Sequence, residues 1–475
     1  MPVMRRIQPL LILLPVLIVC GCLKRDDGSK ADVAFIGDRS TLISAATAEG
    51  LVAFDGDGQI EPGLAERWAV TEDGLAIVFR LAPIKAHDGH IVSAQEVARS
   101  LKQDIASAGK GRIGDLFTGI IDVVAMTDRV IEIRLKAPRP AMLELLAQPE
   151  MGVRHNGAGL GPLKLSGNTP STTSLTPIPV DDSDDTSSDD SASALRQIKV
   201  RSVSASLAVT RFKNGTSQVV LGGTIADYPL VRAANIPASQ VVTDPAQGFL
   251  GFVATAEGSL GTDADMRHAL DMAIDRPALV RALALPGWQS RTSLLPARYD
   301  MDSDPAQPDW VALSVPDRLA QARQAVAAWR ARQGKTATIR IAMPGSGLWR
   351  VLFARLTADW AALGVRTQWV GPRQPADLVV IDEVSPDNSV NWYFTRLSCE
   401  AHAPCDSDSR GALDFARAAT TVGARASAYT QADQIYTLNA PAIILGNPFR
   451  WSLAKPRMTG IGPNLFAEHS LAHLR

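Results

Sequence analysis

The stretch that decides the fold covers residues 62–81, which read PGLAERWAVTEDGLAIVFRL. Within it, Glu72-Asp73-Gly74 is typical of a tight turn. The turn separates two short runs of strand-forming residues, Trp68 to Val70 and Ala76 to Leu81. The sequence therefore predicts short strands that alternate with turns in this part of the chain.

A helix is expected shortly after these strands. Ser93 is an N-cap candidate and Glu96 follows three residues later. This is the spacing of a capping box, in which each side chain satisfies a free backbone N–H group of the other residue. We therefore predict a helix that opens at Ser93 and runs through Leu101.

Further along the chain, helices and strands follow one another. Apolar residues at helical spacing predict helices over Asp263 to Ala284, Pro316 to Arg332 and Leu348 to Leu363. Short apolar runs predict strands over Ile198 to Val203, Gly248 to Val253, Val365 to Val370 and Asp377 to Ile381. This succession indicates an α/β fold whose sheet is covered by helices.

The charge balance excludes one class of partner. The chain has 475 residues, with 48 Lys and Arg against 49 Asp and Glu, which gives a formal net charge of −1. A protein that grips a phosphate backbone needs a clear excess of basic residues, so nucleic acid is excluded as a general partner. At roughly 150 residues per domain, the length predicts two large domains or three smaller ones.

The amino terminus has the pattern of an export signal. Arg5 and Arg6 precede an apolar run from Ile7 to Cys20, shorter than the roughly 20 apolar residues of a spanning helix. The run ends in Val19-Cys20-Gly21-Cys22, which resembles the bacterial lipobox with Cys22 as the lipidated residue. We expect residues 1–21 to be removed as a lipoprotein signal peptide and the mature chain to be lipid-anchored to a membrane in the periplasm or cell envelope. A plain signal peptide with a chance cysteine is the alternative.

Export also bears on Cys399 and Cys405. An even pair of cysteines in an oxidising compartment predicts one disulfide that closes a short loop. His402 lies midway between them and raises the alternative of a metal site. Two thiols and one imidazole supply only three ligands, whereas a structural zinc site has four. We therefore expect no metal and no cofactor.

An acidic, serine-rich tract covers residues 166–194 and includes Asp181-Asp182-Ser183-Asp184-Asp185. It holds too little apolar surface to offset the entropy lost on ordering, so we expect a disordered, solvated loop. A calcium site is the alternative, but the spaced ligands and fixed glycine of a calcium loop are missing.

Several stretches, in a fixed order, resemble family 5 extracellular solute-binding proteins, the dipeptide-, oligopeptide- and nickel-binding lipoproteins of ABC importers. The most specific block comprises Glu49-Gly50-Leu51-Val52, Pro62 to Trp68, Glu72 to Leu75, Phe79-Arg80-Leu81, His87-Asp88-Gly89 and Ser93 to Leu101. Three later blocks are also similar to the family: Gly159 to Leu165, Phe249 to Arg276, and Leu363 to Leu445.

The resemblance implies an α/β, two-lobed periplasmic-binding-protein fold, class II and of the large family 5 type, with a ligand cleft between the lobes. Residues 22–48 would be the tether and the start of lobe I, and 49–157 an extra subdomain of lobe I. Residues 158–245 would form the lobe I core with the acidic loop, 246–440 lobe II, and 441–475 the return to lobe I and the C-terminal tail.

The implied function is that of a substrate-binding lipoprotein of an ABC-type importer. Such a protein captures a peptide-like or other small polar solute by closing its two lobes and delivers it to a membrane permease and ATPase complex. Binding and closure require no catalysis, so we do not expect an enzyme. A monomer is expected.

Five residues are candidates for the ligand site. Asp382 resembles the family's strand-end aspartate, which in peptide binders pairs with the α-amino group of the ligand; a turn or helix-capping role is the alternative. Trp392 and Tyr393 are expected either to line the cleft or to pack in the core. Arg154 and His155 are candidates for contact with an anionic group of the ligand.

Some positions depart from the family pattern. Ala86, Leu163 and Val253 stand where the family has an aromatic residue, a tyrosine and an asparagine, so the lining of a standard peptide pocket is thinned. Two alternatives stay open: an envelope sensor or chaperone-like binding module without import and, more remotely, a periplasmic hydrolase. The hydrolase rests on the S-x-x-K pattern of residues 452–455, but Pro456 blocks the helix that this motif needs.

Overall fold

The computed structural model describes residues 30–108, 113–178, 197–260, 262–297, 299–334 and 336–475. The predicted signal peptide with Cys22 and the most acidic part of the tract, residues 179–196, lie outside these ranges. None of the helices within them combines the length and the apolar surface that a bilayer crossing requires.

Strands and helices alternate along the described chain. The strands are β1 Lys30–Ile36, β2 Val52–Phe54, β3 Ile60–Pro62, β4 Ala65–Val70, β5 Ala76–Leu81, β6 Ile120–Thr127, β7 Val130–Leu135, β8 Arg154–His155, β9 Ala158–Gly159, β10 Leu163–Asn168, β11 Thr172–Pro177, β12 Gln197–Val203, β13 Val219–Thr224, β14 Val241–Asp244, β15 Gly248–Ala254, β16 Thr338–Ala342, β17 Arg366–Val370, β18 Leu378–Val384, β19 Ala442–Gly446 and β20 Arg450–Ala454. The helices are α1 Ser40–Thr47, α2 Ala94–Ala108, α3 Met142–Leu146, α4 Ala205–Lys213, α5 Tyr228–Ala233, α6 Ala264–Met272, α7 Arg276–Leu283, α8 Val315–Gln333, α9 Leu348–Ala361, α10 Val390–Arg396, α11 Ser407–Ala418 and α12 Val422–Asn439.

Lobe I is built on a seven-stranded sheet in the order β10-β11-β12-β1-β13-β20-β14. β1 pairs in parallel with both β12 and β13, while β20 runs antiparallel to β13 and β14. Val33 and Ala34 in β1 are both fully buried but belong to different apolar clusters. Successive side chains of a strand point to opposite faces, so β1 is covered on both sides.

The extra subdomain of lobe I is an antiparallel sheet in the order β4-β5-β7-β6 with α2 packed against it. The predicted capping box at the start of α2 is confirmed. The backbone N–H of Ser93 donates to Oε2 of Glu96 at 2.9 Å, and the backbone N–H of Glu96 donates to Oγ of Ser93 at 3.4 Å. Val97 and Leu101 of α2 are then buried in the subdomain core.

Lobe II is built on a five-stranded sheet in the order β17-β16-β18-β15-β19. The single helix predicted over Asp263 to Ala284 is wrong, because two helices, α6 and α7, occupy this stretch. Asp275 caps α7 by accepting a hydrogen bond from the backbone N–H of Ala278 at 2.9 Å. Pro277 lies in the first turn of α7, where its missing N–H costs no intrahelical bond.

The chain crosses between the lobes twice among these elements. It leaves lobe I after β14 through residues 245–247 and returns after β19 through residues 447–449. The expected return to lobe I at residue 441 is therefore wrong. β19 pairs with β15 in lobe II, and its buried apolar run from Ala442 to Leu445 completes that sheet before the chain crosses.

The disordered loop expected over residues 166–194 is wrong at its start. β10 and β11 form an antiparallel pair, and β11 joins the lobe I sheet beside β12. Thr173 and Leu175 alternate with less buried neighbours, which is the pattern of a strand with one buried face. Arg39 fastens the hairpin by donating to Oγ1 of Thr173 at 2.9 Å and to the carbonyl of Thr169 at 2.7 Å.

Two of the apolar clusters draw residues from both lobes. One joins Leu51 and Met151 of lobe I to Phe249 and Tyr393 of lobe II. The other joins Val220 of the lobe I sheet to the lobe II core. The described lobes are therefore packed against each other in a closed arrangement.

Candidate functional site

The two crossings lie side by side and form the hinge between the lobes. Asn447 in the second crossing donates from Nδ2 to Oε1 of Gln247 in the first crossing at 3.0 Å. The backbone N–H of Ser385 in lobe II donates to the carbonyl of Gln247 at 2.8 Å. Two short connections of this kind let the lobes rotate about one axis and close around a ligand. The ligand site is therefore expected where the lobes meet.

Asp382 lies on β18 of lobe II, close to this hinge. Its Oδ1 is 2.7 Å from Nη1 of Arg450, the first residue of β20 in lobe I. Nη2 of Arg450 also donates to the main-chain oxygen of Asp382 at 2.8 Å. The carboxylate that was expected to meet a ligand ammonium therefore has an internal cation as its partner in the closed arrangement.

Trp392 and Tyr393 lie on α10 and are buried in the core. Their exposed fractions are 1% and 0%. Both rings pack on Phe249, with ring centroids 5.5 Å and 5.0 Å away. Of the two expected roles, the structure places them in the core beneath the interlobe surface.

Two polar contacts join the lobes beside α10. Gln148 of lobe I donates from Nε2 to the carbonyl of Pro386 in lobe II at 2.7 Å. Glu144 on α3 accepts from the backbone N–H of Asn388 at 2.6 Å and from its Nδ2 at 2.8 Å. Burial raises the pKa of Glu144, whereas these hydrogen bonds from Asn388 act to lower it. Helix α3 and the residues that follow it in lobe I thus contact the segment 386–388 of lobe II.

A cavity of about 50 Å³ lies between the lobes at this contact. On the scale of about one water per 10–15 Å³ of such volume, it holds a few waters or one small polar group. Its lining is partly apolar, and its charged and aromatic side chains are Arg139 from lobe I and Asp300, Asp387, Arg417, Arg425 and Tyr429 from lobe II. We refer to it as the interlobe cavity.

None of the arginines of the interlobe cavity forms a salt bridge with a carboxylate whose side chain the structure describes, although Asp300 and Asp387 line the same cavity. Arg139 donates to the carbonyl of Leu116 at 3.1 Å. Arg417 donates to Oδ1 of Asn391 at 3.0 Å and to Oγ1 of Thr395 at 2.6 Å. Burial lowers the pKa of Arg139, and the charges of Arg425 and Arg417 also lower it, whereas Tyr429 and the carboxylate of Asp387 act to raise it.

Arg425 is the least satisfied of these groups. Its side chain is 7% exposed, and its buried Nη2 has no hydrogen-bond acceptor within the described part of the chain. A buried, unpaired guanidinium nitrogen is costly, and an acceptor that enters the cavity removes that cost.

The two aspartates of the interlobe cavity differ in their surroundings. Asp300 accepts from Oγ of Ser389 and from the backbone N–H of Val390, each at 3.0 Å. Burial raises the pKa of Asp387 well above its usual range, and the carboxylate of Glu144 raises it further. Burial thus favours the neutral form of Asp387.

Arg154 and His155 lie elsewhere, on β8 of lobe I. Arg154 donates from Nη2 to Oγ of Ser44 at 2.7 Å. Nδ1 of His155 lies 3.4 Å from Oε1 of Glu96, and Nε2 lies 3.7 Å from Oδ2 of Asp88. The imidazole of His155 thus faces two carboxylates, and neither Arg154 nor His155 lines the interlobe cavity. Contact of these two residues with an anionic group of the ligand stays a prediction.

Comparison with known proteins decides the family. Residues 59–378 match the family model described as bacterial extracellular solute-binding proteins, family 5 Middle. The chain belongs to this family. The match includes α3 and Arg139 on the lobe I side of the interlobe contact and ends at the start of β18, so the segment 386–388 and the arginines of α11 and α12 lie beyond its end.

Individual relatives of this family 5 protein match over shorter stretches. The probable deoxycholate-binding periplasmic protein YgiS of Escherichia coli is 29% identical over 121 residues, 22% of this chain and 23% of the relative. The glutathione-binding protein GsiB of Pectobacterium atrosepticum is 33% identical over 113 residues, 23% of this chain and 22% of the relative. The chain is thus aligned with less than a quarter of the length of these curated relatives.

Almost the whole length of this family 5 protein superimposes on a solved structure. The crystal structure of Haemophilus influenzae OppA in complex with RPPGFSPFR superimposes with a TM-score of 0.78 at 15% identity, covering 94% of this chain and 98% of that chain. The two-lobed α/β fold predicted from the sequence is therefore confirmed.

The arginines of the interlobe cavity were not predicted from the sequence of this family 5 protein. One signal was available for Arg425, which shares the buried face of α12 with Ala428, Ala432 and Tyr436 at spacings of three or four residues. A charged residue on such an apolar stripe needs a partner or a function, and the pattern could have identified it.

The S-x-x-K residues do not form an enzyme site in this family 5 protein. Ser452 is buried in strand β20, and Nζ of Lys455 lies 4.2 Å from the centre of the Phe212 ring. The motif of a serine acyl-enzyme requires both residues on one helix, so this arrangement gives no support to the hydrolase alternative.

A disulfide joins Cys399 and Cys405, whose Cα atoms are 5.5 Å apart. It closes the loop between α10 and α11 in lobe II. Pro404 and His402 within this loop accept hydrogen bonds from Asn439 Nδ2 at 3.1 Å and from the backbone N–H of Ala256 at 3.0 Å.

Proposed function

We propose that this chain is the solute-binding subunit of an ABC-type importer. It captures a small solute between its lobes and presents the closed form to a membrane permease with its ATPase. The observation that carries the proposal is the pair of lobes joined by two short crossings with a polar cavity at their contact. A ligand that touches both lobes only in the closed state shifts the population toward closure.

The solute is proposed to be small and polar, with at least one acidic group. The interlobe cavity supports this, because Arg139, Arg417 and Arg425 line it without a salt bridge to a described carboxylate, and the buried Nη2 of Arg425 has no acceptor in the described chain. Guanidinium groups recognise carboxylates through paired, charge-assisted hydrogen bonds. A peptide-like solute carries such a group, and the names of the glutathione-binding relative and the peptide-bound OppA structure support this class.

The mature chain is proposed to work in the periplasm or cell envelope, anchored by a lipid on Cys22. The lipobox-like sequence and the disulfide between Cys399 and Cys405 support an exported protein. Mass spectrometry of the mature amino terminus tests the anchor. Complete extraction of the protein by carbonate without detergent would contradict it.

Mass spectrometry of the solute released from the purified full-length protein is the direct test of capture. We expect one small acidic solute per chain, and binding of the same solute when it is added back to the stripped protein. A protein that binds only neutral or cationic compounds would contradict the proposed solute class.

Reconstitution then tests import. The loaded protein, added to vesicles that contain its cognate permease and ATPase, is expected to stimulate ATP hydrolysis more than the stripped protein does. Solute binding without any stimulation or uptake would favour the alternative of an envelope sensor or chaperone-like module.

A further inference from the structure

A cluster of metal-ligating side chains lies in the extra subdomain, on lobe I and outside the interlobe cavity. His90, Glu96 and His155 each offer one ligand atom, and these atoms lie within 4.8 Å of one another. His90 follows the turn at Asp88 and Gly89, Glu96 lies in the first turn of α2, and His155 lies in β8. Three separate segments therefore converge on one point.

Two of the three distances between ligand atoms match the edges of a metal coordination polyhedron. Nε2 of His90 lies 3.1 Å and Nδ1 of His155 lies 3.4 Å from the same atom, Oε1 of Glu96. In a tetrahedral zinc site with bonds of about 2.0–2.1 Å, neighbouring ligand atoms are about 3.3 Å apart. The third pair, Nε2 of His90 and Nδ1 of His155, lies within 4.8 Å, so the two imidazoles must turn toward each other for an ion to reach bonding distance from all three groups.

The protein orients the carboxylate of Glu96 for this task. Its Oε2 accepts from the backbone N–H and from Oγ of Ser93, each at 2.9 Å, in the capping box. Oε1 is thereby turned toward both imidazoles. Hydrogen bonds that fix a ligand carboxylate in this way are typical of metal sites.

The neighbourhood of His155 also supports ligation through Nδ1. A metal on Nδ1 requires the ring proton on Nε2. Oδ2 of Asp88 lies 3.7 Å from Nε2, and the Asn156 amide lies 3.0 Å from it and presents its oxygen when flipped. The Asn156 oxygen can then accept a hydrogen bond from Nε2–H, and Asp88 adds negative charge beside the ion.

The two imidazole rings are stacked, with centroids 4.7 Å apart and planes inclined by 12°. His90 is exposed, so an ion reaches the cluster directly from solution. Two neutral imidazoles and one carboxylate give a net charge of −1, and the carboxylate of Asp88 makes the net charge −2. This donor set favours a borderline transition-metal ion over Mg²⁺ or Ca²⁺, which prefer oxygen ligands.

We propose that His90, Glu96 and His155 bind one Zn²⁺-type divalent ion. The ion fastens the turn before α2, the start of α2 and the β8–β9 hairpin to one another. The fourth coordination position is left to water or to Asp88. The site is independent of solute capture, because none of its residues lines the interlobe cavity.

Titration of the EDTA-treated full-length protein with Zn²⁺ tests the proposal. Calorimetry is expected to give one site per chain, and Co²⁺ is expected to give the visible absorption bands of a site with low coordination number. Mg²⁺ at the same concentration is expected to give no heat. Failure of Zn²⁺ to bind, or binding of Zn²⁺ and Mg²⁺ alike, would overturn the proposal.

Single substitutions assign the ligands. His90→Ala and His155→Ala are each expected to weaken Zn²⁺ binding by about 10-fold or more. The matched control is His87→Ala, which removes another exposed histidine of the same turn and is expected to leave the affinity unchanged. Full affinity in both ligand variants would overturn the assignment. Circular dichroism of each variant shows whether the fold is retained, and Glu96→Gln offers a third ligand change of nearly the same shape.

Discussion

Arg450 donates from Nη1 to Oδ1 of Asp382 at 2.7 Å and from Nη2 to the main-chain oxygen of the same residue at 2.8 Å. The two residues belong to different sheets, β20 of lobe I and β18 of lobe II. Their side chains are 17% and 13% exposed, so the pair is shielded from solvent. It ties the lobes together beside the hinge and neutralises the carboxylate that the family pattern assigns to the ligand.

Asp382→Ala is therefore expected to destabilise the protein. Removing one partner leaves the guanidinium of Arg450 buried without its carboxylate, at a cost of about 3 kcal/mol in the free energy of unfolding. Urea denaturation of the ligand-free protein measures the change. Arg450→Met and the double variant complete a cycle that isolates the coupling between the two residues.

The same variant separates the two roles of Asp382. Unchanged solute affinity in folded Asp382→Ala would show that the residue is structural and that the predicted contact with a ligand ammonium is wrong. A large loss of affinity together with unchanged stability would contradict the structural role and favour the ligand contact.

Arg425→Met is expected to act in the opposite way on stability. The substitution removes a buried charge whose Nη2 has no acceptor in the described chain, so the free energy of unfolding of the ligand-free protein is expected to stay equal or to rise. Solute affinity is expected to fall by about 10- to 100-fold, because the acidic group loses charge-assisted hydrogen bonds. Calorimetry with the released solute measures this loss.

Arg410→Met is the matched control for Arg425→Met. Arg410 is exposed on α11 and does not line the interlobe cavity. Its loss is expected to leave both solute affinity and stability unchanged. Equal effects of the two substitutions on affinity would contradict a specific role of Arg425.

The sequence predicted those features that depend on neighbouring residues. The capping box of Ser93 and Glu96 and the strands predicted over 76–81, 198–203, 248–253 and 365–370 follow from local spacing and turn chemistry, and the structure confirms them. The break between α6 and α7 was missed, although the local signal of Asp275 before Pro277 was present.

The candidate site was harder to predict, because its contacts join residues far apart in the chain. Asp382 and Arg450 are 68 positions apart, and Glu144 and Asn388 are 244 apart. No repeating pattern of residue types in the sequence indicates that such distant residues pair. The resemblance to the family supplied Asp382 as a candidate, but the internal partner of its carboxylate emerges only from the packing of the two sheets.

The disulfide between Cys399 and Cys405 is expected to stabilise lobe II modestly. Because it closes a short loop, the entropy model gives about 2 kcal/mol, near the low end for disulfides. Cys399→Ser with Cys405→Ser is expected to lower the free energy of unfolding by that amount. Thiol titration of the unfolded, unreduced wild-type chain provides the control. Free thiols at Cys399 and Cys405 in that experiment would show that the disulfide does not form.

Glu49 gives the protein a pH dependence of known sign. Burial raises the pKa of Glu49 from 4.5 to about 7, and the nearby carboxylate of Glu61 contributes to the rise. A carboxyl group with a higher pKa in the folded chain binds its proton more tightly when folded. Its contribution to stability is therefore fully present below pH 4.5 and is lost as the pH rises through about 7.

Glu49→Gln is expected to remove this dependence and to raise the melting temperature at pH 8 more than at pH 5. A neutral amide of the same shape imitates the protonated acid, so the variant matches the wild type at low pH and exceeds it at high pH. Thermal unfolding across this range measures the difference. The exposed Glu72 supplies the control, since Glu72→Gln is expected to leave the curve unchanged. If the melting temperature of Glu49→Gln changed between pH 5 and pH 8 by the same amount as that of the wild type and of Glu72→Gln, Glu49 would be ionised at little cost in the folded protein.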